Sequence, residues 1–600
     1  MPKRKKTVRS SSAPPFGKYT YIVLFLLGAF IGVASLLLAA ANFGISMFYS
    51  YFEVPLIIIL NLIPPIIIIF LVFFLSGRAW IAFSVTSIVV FGMSLINFFK
   101  IQVRNDPFVS SDFQFVSEAQ NIVSKYPLTI DFRVIIVIIA FIVGLIISIF
   151  LLRRPLKVPA TRIIGAISAL ALSSILYFAV YSDSDIYEYI STKFDIVIWS
   201  ESQTFISKGF VYPFIHSMSD AKVSPPPGYK KATAASMLTE YEYNNIPEDQ
   251  KIDIISIMLE SYADLSKFDE IDINSDVYAP LHVLQMESYS GTVIPNVFAG
   301  GTIDTERSFL TGYFNLEKIT THLNSYVRYF SEQGYYTEGL HSGSNWFYGR
   351  ASANKYLGFD NYYFLQDYEN GDMIDVFLFS EIENLYENRD TSTPYFAYHL
   401  SYQNHGSYDS ELTENEPQLN PNGMSDASYN ILNNYLAGIA ETTQILYDFV
   451  EGFRDSDDPI IIIVFGDHMP WLGNANSVYE ELGINVDANT DEGFYNLYST
   501  PYIIWANDPA REIIGNDFDG DGGSLSPAFL MNELFDLCSW GGNEYMKATN
   551  ELYTRIDIVS TPTGYFRLDG VLAFSVPDSM MGFYNRYRQI EYYWQHNLKS

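Results

Sequence analysis

Cysteine is nearly absent from this 600-residue chain, in which Cys538 stands alone. No intramolecular disulfide can form and no thiolate metal cluster can be built. That excludes the disulfide-stapled scaffolds common outside the cell and fits a bacterial surface that does without them. Positive charge is scarce in the later part. Residues 1–181 carry 15 Lys plus Arg against 5 Asp plus Glu, whereas 182–600 carry 21 against 62. A net charge near −41 there argues against a nucleic-acid-binding surface, whose phosphate contacts need basic groups. Ionisable residues are also almost missing from the long apolar runs of the first third, which disfavours a transporter or pump with an ion pathway through the membrane. No internal repeat or low-complexity tract is present.

What the first third does have is length of apolar run. After the basic tail Met1-Pro2-Lys3-Arg4-Lys5-Lys6, the stretch Tyr19 to Phe43 exceeds the core of a signal peptide. Further runs lie at about 53–76, 79–99, 133–152 and 161–181, each near the ~20 residues a helix needs to cross a bilayer. Five spans are therefore expected in 1–181. Placing the tail, Arg78, Arg153, Arg154, Lys157 and Arg162 on one side satisfies the positive-inside pattern. The N-terminus is then cytoplasmic, and everything after residue 181 lies outside the cell. Pro64-Pro65 falls inside the second span and is expected to play a structural part. Residues 182–249 read as a juxtamembrane helical linker. Its aromatics (Tyr187, Tyr189, Phe194, Trp199, Phe205, Phe210, Phe214), with Ile196 and Ile198, are expected along the bilayer surface or bracing the next domain. Pro225-Pro226-Pro227-Gly228 is a stiff break within it.

From 250 to 600 short apolar runs alternate with helical stretches, the pattern of a largely parallel α/β sheet. Strands are expected at 252–259, 335–340, 395–400 and 459–465, the last with five consecutive β-branched residues typical of a buried central strand. Each is followed by polar residues: Glu260, His341, Asn404-His405 and Gly466-Asp467-His468. Ligands in open α/β sheets bind outside the carboxyl ends of strands. Gly300-Gly301-Thr302 leads into a helical pattern, so Thr302 reads as an N-cap whose hydroxyl also faces an anion-favouring helix end. Asp467-His468 beside a buried strand needs a polar partner, and a metal is one. Carboxylate, imidazole and hydroxyl suit Mn²⁺, Mg²⁺ or Zn²⁺ more than a soft metal, and the lack of a thiolate favours Mn²⁺ or Mg²⁺. A metal on Thr302 would lower the pKa of a hydroxyl that is otherwise a poor nucleophile.

These residues carry a resemblance. Met258-Leu259-Glu260-Ser261, Gly301-Thr302 with Thr305-Glu306 and Leu310-Thr311-Gly312, His341 with Phe347-Tyr348-Gly349-Arg350, Asn404-His405 and Phe465-Gly466-Asp467-His468-Met469-Pro470 together resemble the lipoteichoic acid synthase family of the alkaline phosphatase and sulfatase superfamily. The five spans match that family's layout. The resemblance implies an extracellular sulfatase-like domain in which Glu260, Thr302, Asp467 and His468 bind one Mn²⁺ or Mg²⁺ and Thr302 is the nucleophile. It implies His341, Tyr348, Arg350 and His405 around the phosphoglycerol head group, with His405 handling protons. Phosphatidylglycerol would be the donor and a glycolipid or growing polyglycerolphosphate chain the acceptor. Gly343 and Tyr348 depart from the polymerase form, which has an acidic residue and a tryptophan there, so the head-group contacts are expected to differ. No C/S-x-P-x-R motif, which a sulfatase needs for formylglycine, stands at Thr302. A phosphoethanolamine transferase and a non-catalytic envelope-binding module are the alternatives. Separately, Asp517, Asp519, Asp521 and Gly522 imitate the start of a Ca²⁺ loop, but position twelve is Ala528 rather than Glu.

Overall fold

A computed structural model describes residues 18–104, 107–115, 132–150, 152, 155–190, 205–219 and 225–599, apart from a few single positions between 317 and 569. The basic tail, Arg153, Arg154, Phe194, Ile196, Ile198 and Trp199 lie outside the described residues. The chain divides into two compact units, Met1–Lys222 and Val223–Ser600.

Among the described residues the first unit holds five long helices, α1 (Lys18–Ala39), α2 (Pro55–Ser76), α3 (Ala79–Arg104), α4 (Phe132–Phe150) and α5 (Pro159–Leu176), the last continuing to Tyr181 in a π-turn, besides shorter ones. All five are long and apolar enough to cross a membrane. Association of such helices relies on close approach rather than on the hydrophobic effect. Gly28 and Gly32 of α1, four residues apart, meet α2 so closely that an added Cβ would stand 2.9 Å from Ile66 Cα or 3.0 Å from Leu62 Cα.

Pro64 and Pro65 lie inside α2 and lack the amide hydrogens that would bond the carbonyls of Leu60 and Asn61. The Leu60 carbonyl instead accepts from Tyr181 Oη at 2.8 Å. Asn61, fully buried, uses its side chain in full. Its amide donates to the Ile57 and Lys208 carbonyls, both at 2.8 Å, and its oxygen accepts from the backbone of Phe210 and Tyr212. Gly209 sits between these partners at φ 92°, and a side chain there would collide with the Asn61 amide. Phe205, Phe210 and Phe214 are buried within the helical unit, which departs from the first of the two expectations, a place along the bilayer surface. Tyr189 remains exposed.

The second unit is built on an eight-stranded sheet: β1 (Asp253–Leu259), β2 (Tyr289–Val293), β3 (Tyr336–His341), β4 (Asn361–Phe364), β5 (Tyr395–Leu400), β6 (Ile460–Gly466), β7 (Thr500–Ala506) and β8 (Gly520–Leu525), in the order β4-β3-β5-β1-β6-β7-β2-β8. Only β7 runs against the rest. Because side chains alternate across a strand, β6 sends Ile461, Ile463 and Phe465 into one core and Ile460, Ile462 and Val464 into the other. Helices that matter for the site are α6 (Thr302–Thr311), α7 (Arg350–Leu357), α8 (Asp375–Glu387) and α9 (Asp426–Arg454).

The C-terminal helix α10 (Asp578–His596) buries Tyr587 and Trp594 in the same core. Its buried Glu591 accepts from the backbone of Phe314 and Asn315. Residues 517–522 do not form a Ca²⁺ loop, because Gly520 already begins an edge strand paired with β2.

Replacing Asn61 with Leu leaves the Lys208 carbonyl and the Phe210 and Tyr212 amides without their partner. The expected cost is about 3 kcal/mol or more, read as a clear drop in the melting temperature of the detergent-solubilised full chain.

Candidate metal and nucleophile site

Four neighbouring strands, β3, β5, β1 and β6, end at one edge of the sheet, and each delivers a polar residue there. His341 is the last residue of β3, Glu260 follows β1, Asp467-His468 follows β6, and the turn after β5 carries Asn404-His405. The register aligns these ends: Met258 pairs with Leu400 and with Phe465. The Asp467 amide then bonds the Leu259 carbonyl, which continues the β1–β6 ladder into the site.

Thr302 comes from outside the sheet. Ala299, Gly300 and Gly301 have φ of 58°, 145° and 82°, and this left-handed run turns the chain sharply into α6. Gly301 is the N-cap, so Thr302 is the first helical residue and its hydroxyl does not cap the helix as expected. It is turned instead to the sheet edge, 3.2 Å from Glu260 Oε2 and 3.5 Å from His468 Nε2. Asp304 N–H bonds the Gly301 carbonyl, leaving the amides of Thr302 and Ile303 as free donors of the helix end among the described residues. Thr305, one turn on, ties α6 to the Asp467 carbonyl at 2.8 Å.

Glu260, Asp467 and His468 are all buried and offer ligand atoms within 4.8 Å of one another, the only such group of three among the described residues. The acidic residues at 517–521 form none. His468 Nδ1 lies 3.1 Å from the Met469 carbonyl. A carbonyl can only accept, so the neutral ring is protonated there and presents the lone pair of Nε2 inward. That lone pair stands 3.2 Å from Asp467 Oδ2 and 3.6 Å from Glu260 Oε1. Asp467 Oδ1 accepts from the amides of Ser261 and His468, while the buried Oδ2 has no hydrogen-bond partner. Burial first, then repulsion by Glu260, raises the Asp467 carboxyl. Inward-facing lone pairs with an orphaned carboxylate oxygen fit a hard or borderline divalent cation, and the donors offer nothing to a soft one.

Beside this cluster, His341 Nδ1 donates to the Leu400 carbonyl at 3.1 Å and Nε2 faces Arg350 Nη1 at 3.4 Å. Burial and the Arg350 charge hold His341 well below its usual range, so it is neutral. Arg350 donates through Nε to Glu306 Oε2 at 2.9 Å, a fully buried pair. Glu306 lies four residues after Thr302, hence on the same face of α6, and that spacing was the available signal for it. Gly343 is sterically required, since a Cβ there would collide with His341 Nε2. Tyr348, at φ 54°, is exposed with its ring 5.2 Å from Arg350 Cζ. His405 is also exposed, stacked on Tyr402 with its Nδ1 bonded to the Gly406 carbonyl. It shares the sheet edge with the other residues but not their buried cluster.

A support that sequence reasoning missed anchors the His405 turn. Asn404 Nδ2 donates to Thr442 Oγ1, which donates to Asp375 Oδ2 at 2.6 Å. The Asp375 amide in turn bonds Gln403. No sequence spacing links α8, α9 and this turn.

The second unit is thus an α/β domain with a buried polar site at the carboxyl edge of its sheet. The Sulfatase family matches residues 253–560, just over half of the chain, and the chain belongs to that family. Over 411 residues it is 22% identical to a Rhizobium meliloti (strain 1021) protein provisionally described as a cyclic beta-1,2-glucan modification protein, covering 64% of this chain and 61% of the relative. The chain therefore spans about three-fifths of the length of the curated relative it matches. Among solved structures it is similar to the phosphoglycerol transferase GacH of Streptococcus pyogenes (16% identity, TM-score 0.47, covering 62% of this chain and 94% of that one). The lipoteichoic acid synthase LtaP of Listeria monocytogenes gives 17% identity and TM-score 0.43, covering 60% and 97%. The lipooligosaccharide phosphoethanolamine transferase EptA of Neisseria meningitidis gives 12% and 0.46, covering 87% and 97%.

Burial pushes the Asp375 carboxyl from 3.8 up to about 7, with Glu441 and Glu260 adding to it against the Thr442 bond. The folded protein therefore retains a proton that the unfolded chain releases, and stability falls as pH rises through that window. Asp375→Asn is expected to flatten the decline. Its melting temperature relative to wild type should rise between about pH 4 and 7 and level off above, by the equivalent of at most about 4 kcal/mol.

Proposed function

We propose that the chain is a membrane-anchored phosphotransferase that moves phosphoglycerol from phosphatidylglycerol to a glycolipid or polyglycerolphosphate acceptor through a covalent intermediate on Thr302. One observation carries this reading: the Thr302 hydroxyl sits at a helix N-terminus, 3.2 Å from Glu260 and 3.5 Å from His468. A nucleophile thereby shares one pocket with inward-facing cation ligands and free helical amides. Such a helix end favours an anion, and a phosphodiester brings one. Family membership alone does not choose sulfate esters, because no Cys or Ser of a C/S-x-P-x-R motif stands at position 302.

Glu260, Thr302, Asp467 and His468 would hold Mn²⁺ or Mg²⁺, whose Lewis acidity makes the hydroxyl of Thr302 more acidic. The Thr302 hydroxyl gives its proton to Glu260 Oε2, which it faces at 3.2 Å and which returns it when the bond to Thr302 breaks in the second step. Oγ1 forms a bond to phosphorus as the bond to the diacylglycerol oxygen breaks, and the departing oxygen takes a proton. The amides of Thr302 and Ile303 face the charge that develops on the phosphoryl oxygens. Arg350 is already oriented by Glu306 and His341, so its remaining donors are set for a phosphate or glycerol oxygen. Neutral His341 keeps its lone pair toward Arg350 and adds no positive charge. His405, exposed and free to exchange protons with water, supplies the proton to the leaving oxygen and removes one from the acceptor hydroxyl. In the second step that hydroxyl attacks phosphorus and the bond to Thr302 breaks. The five helices of the first unit anchor the chain in the bilayer that contains the donor, with the catalytic unit on the extracellular side.

The test incubates the purified full chain with head-group-labelled phosphatidylglycerol and Mn²⁺. Wild type should release diacylglycerol and carry a glycerophosphate adduct on Thr302 by mass spectrometry. Thr302→Ala should lose release by at least about a thousandfold, and chelation should abolish it until Mn²⁺ or Mg²⁺ is restored. Equal release by the Thr302→Ala variant would overturn the nucleophile. Faster turnover of phosphatidylethanolamine would replace the donor with that lipid.

A further inference from the structure

Arg307 follows Glu306 on α6 and is 93% buried, with 7% of its surface exposed. Among the described residues its guanidinium makes no hydrogen bond and no ion pair, and its enclosed Nε is without a partner. This sets it apart from Arg350, which is as deeply buried but paired with Glu306. Asp304 and Glu306 lie close enough to act on Arg307 electrostatically, as do Arg350 and Tyr348, yet neither carboxylate forms an ion pair with it. An arginine cannot escape burial by giving up its proton. A buried charge without a counter-ion is unfavourable. The region therefore holds two guanidinium groups, Arg350 on α7, matched by a carboxylate, and Arg307 on α6, the helix whose first turn offers free amides, which is not.

We propose that Arg307 is an oxyanion-binding residue of this site, its guanidinium completed by a phosphate of the substrate. The ligand class is a phosphate mono- or diester oxyanion, either the phosphate that Thr302 attacks or a second phosphate on the acceptor. Arg307 stands five residues from Thr302, about 7.5 Å further along the helix axis and about 140° around it, so it approaches the site from the side of Arg350 and Tyr348, whose charges act on it, rather than along the Thr302 face. The inference rests on the phosphotransferase reading for the identity of the substrate but not for the binding of the anion.

The experiment uses the full chain in detergent with Mn²⁺ and measures inorganic phosphate binding by calorimetry for wild type, Arg307→Gln and Arg307→Lys. The Gln variant is expected to bind phosphate at least tenfold more weakly, and the Lys variant, which keeps the charge, to recover most of that loss at an unchanged melting temperature. This readout needs no turnover, so it stands even if no adduct forms on Thr302. The half-reactions then separate the two sources. Slower adduct formation in Arg307→Gln assigns the residue to the donor phosphate. Normal adduct formation with slowed transfer to a phosphate-bearing acceptor, but not to an uncharged glycolipid, assigns it to the acceptor. Phosphate affinity within twofold of wild type in Arg307→Gln would overturn the proposal. So would a melting temperature that falls for both variants in step with binding, since Arg307 would then be a structural residue.

Discussion

Two buried carboxylates and an imidazole lone pair pointed at one another cannot be left uncompensated. Glu260, Asp467 and His468 occupy that position, and the surrounding architecture exists to hold it together. Burial and mutual repulsion raise the Asp467 carboxyl, while backbone amides from Ser261 and His468 fix the other carboxylate oxygen in place. A cation would reverse the sign of this local field. With it, the repulsion becomes a coordination set and the adjacent Thr302 becomes more acidic.

The sheet makes such crowding possible. A central strand flanked on both sides is insulated from water, and parallel neighbours end at the same edge. β1 and β6 are adjacent, and they supply the three candidate ligands from positions immediately past their last paired residues. A loop-borne cluster of like charges could relax apart. This one cannot, because each ligand's backbone continues a hydrogen-bonded strand whose apolar residues fill two cores.

The position of Glu260 and Asp467-His468 at strand ends was legible because the unbroken Ile460 to Val464 run and its neighbours define where strands stop, and polarity directly after a buried strand is conspicuous. Thr302 was legible for a related reason, two glycines before a helix. Its role as a cap was misread, since the left-handed conformation of Gly301 takes the cap position and frees the hydroxyl. The Glu306–Arg350 pair, the Thr442–Asp375 brace and the unpaired guanidinium of Arg307 were beyond reach. Each depends on distances between elements far apart in sequence, and an arginine that lacks a partner looks in sequence like any other. A place along the bilayer surface was one of two expectations for the segment around Phe210 because aromatic composition reports affinity for an interface and cannot anticipate a buried amide waiting for backbone partners.

Asn61 has a temporal meaning as well. Its side chain is completed by Lys208, Phe210 and Tyr212, residues synthesised some 150 positions later. The second helix must therefore enter the bilayer with only the Ile57 bond of that side chain made, and the first unit reaches its final form only after all five spans have been made. Tyr181 does the same for the carbonyl released by Pro64. Chain order thus becomes assembly order, with the last described segment of the first unit closing what its second helix left open.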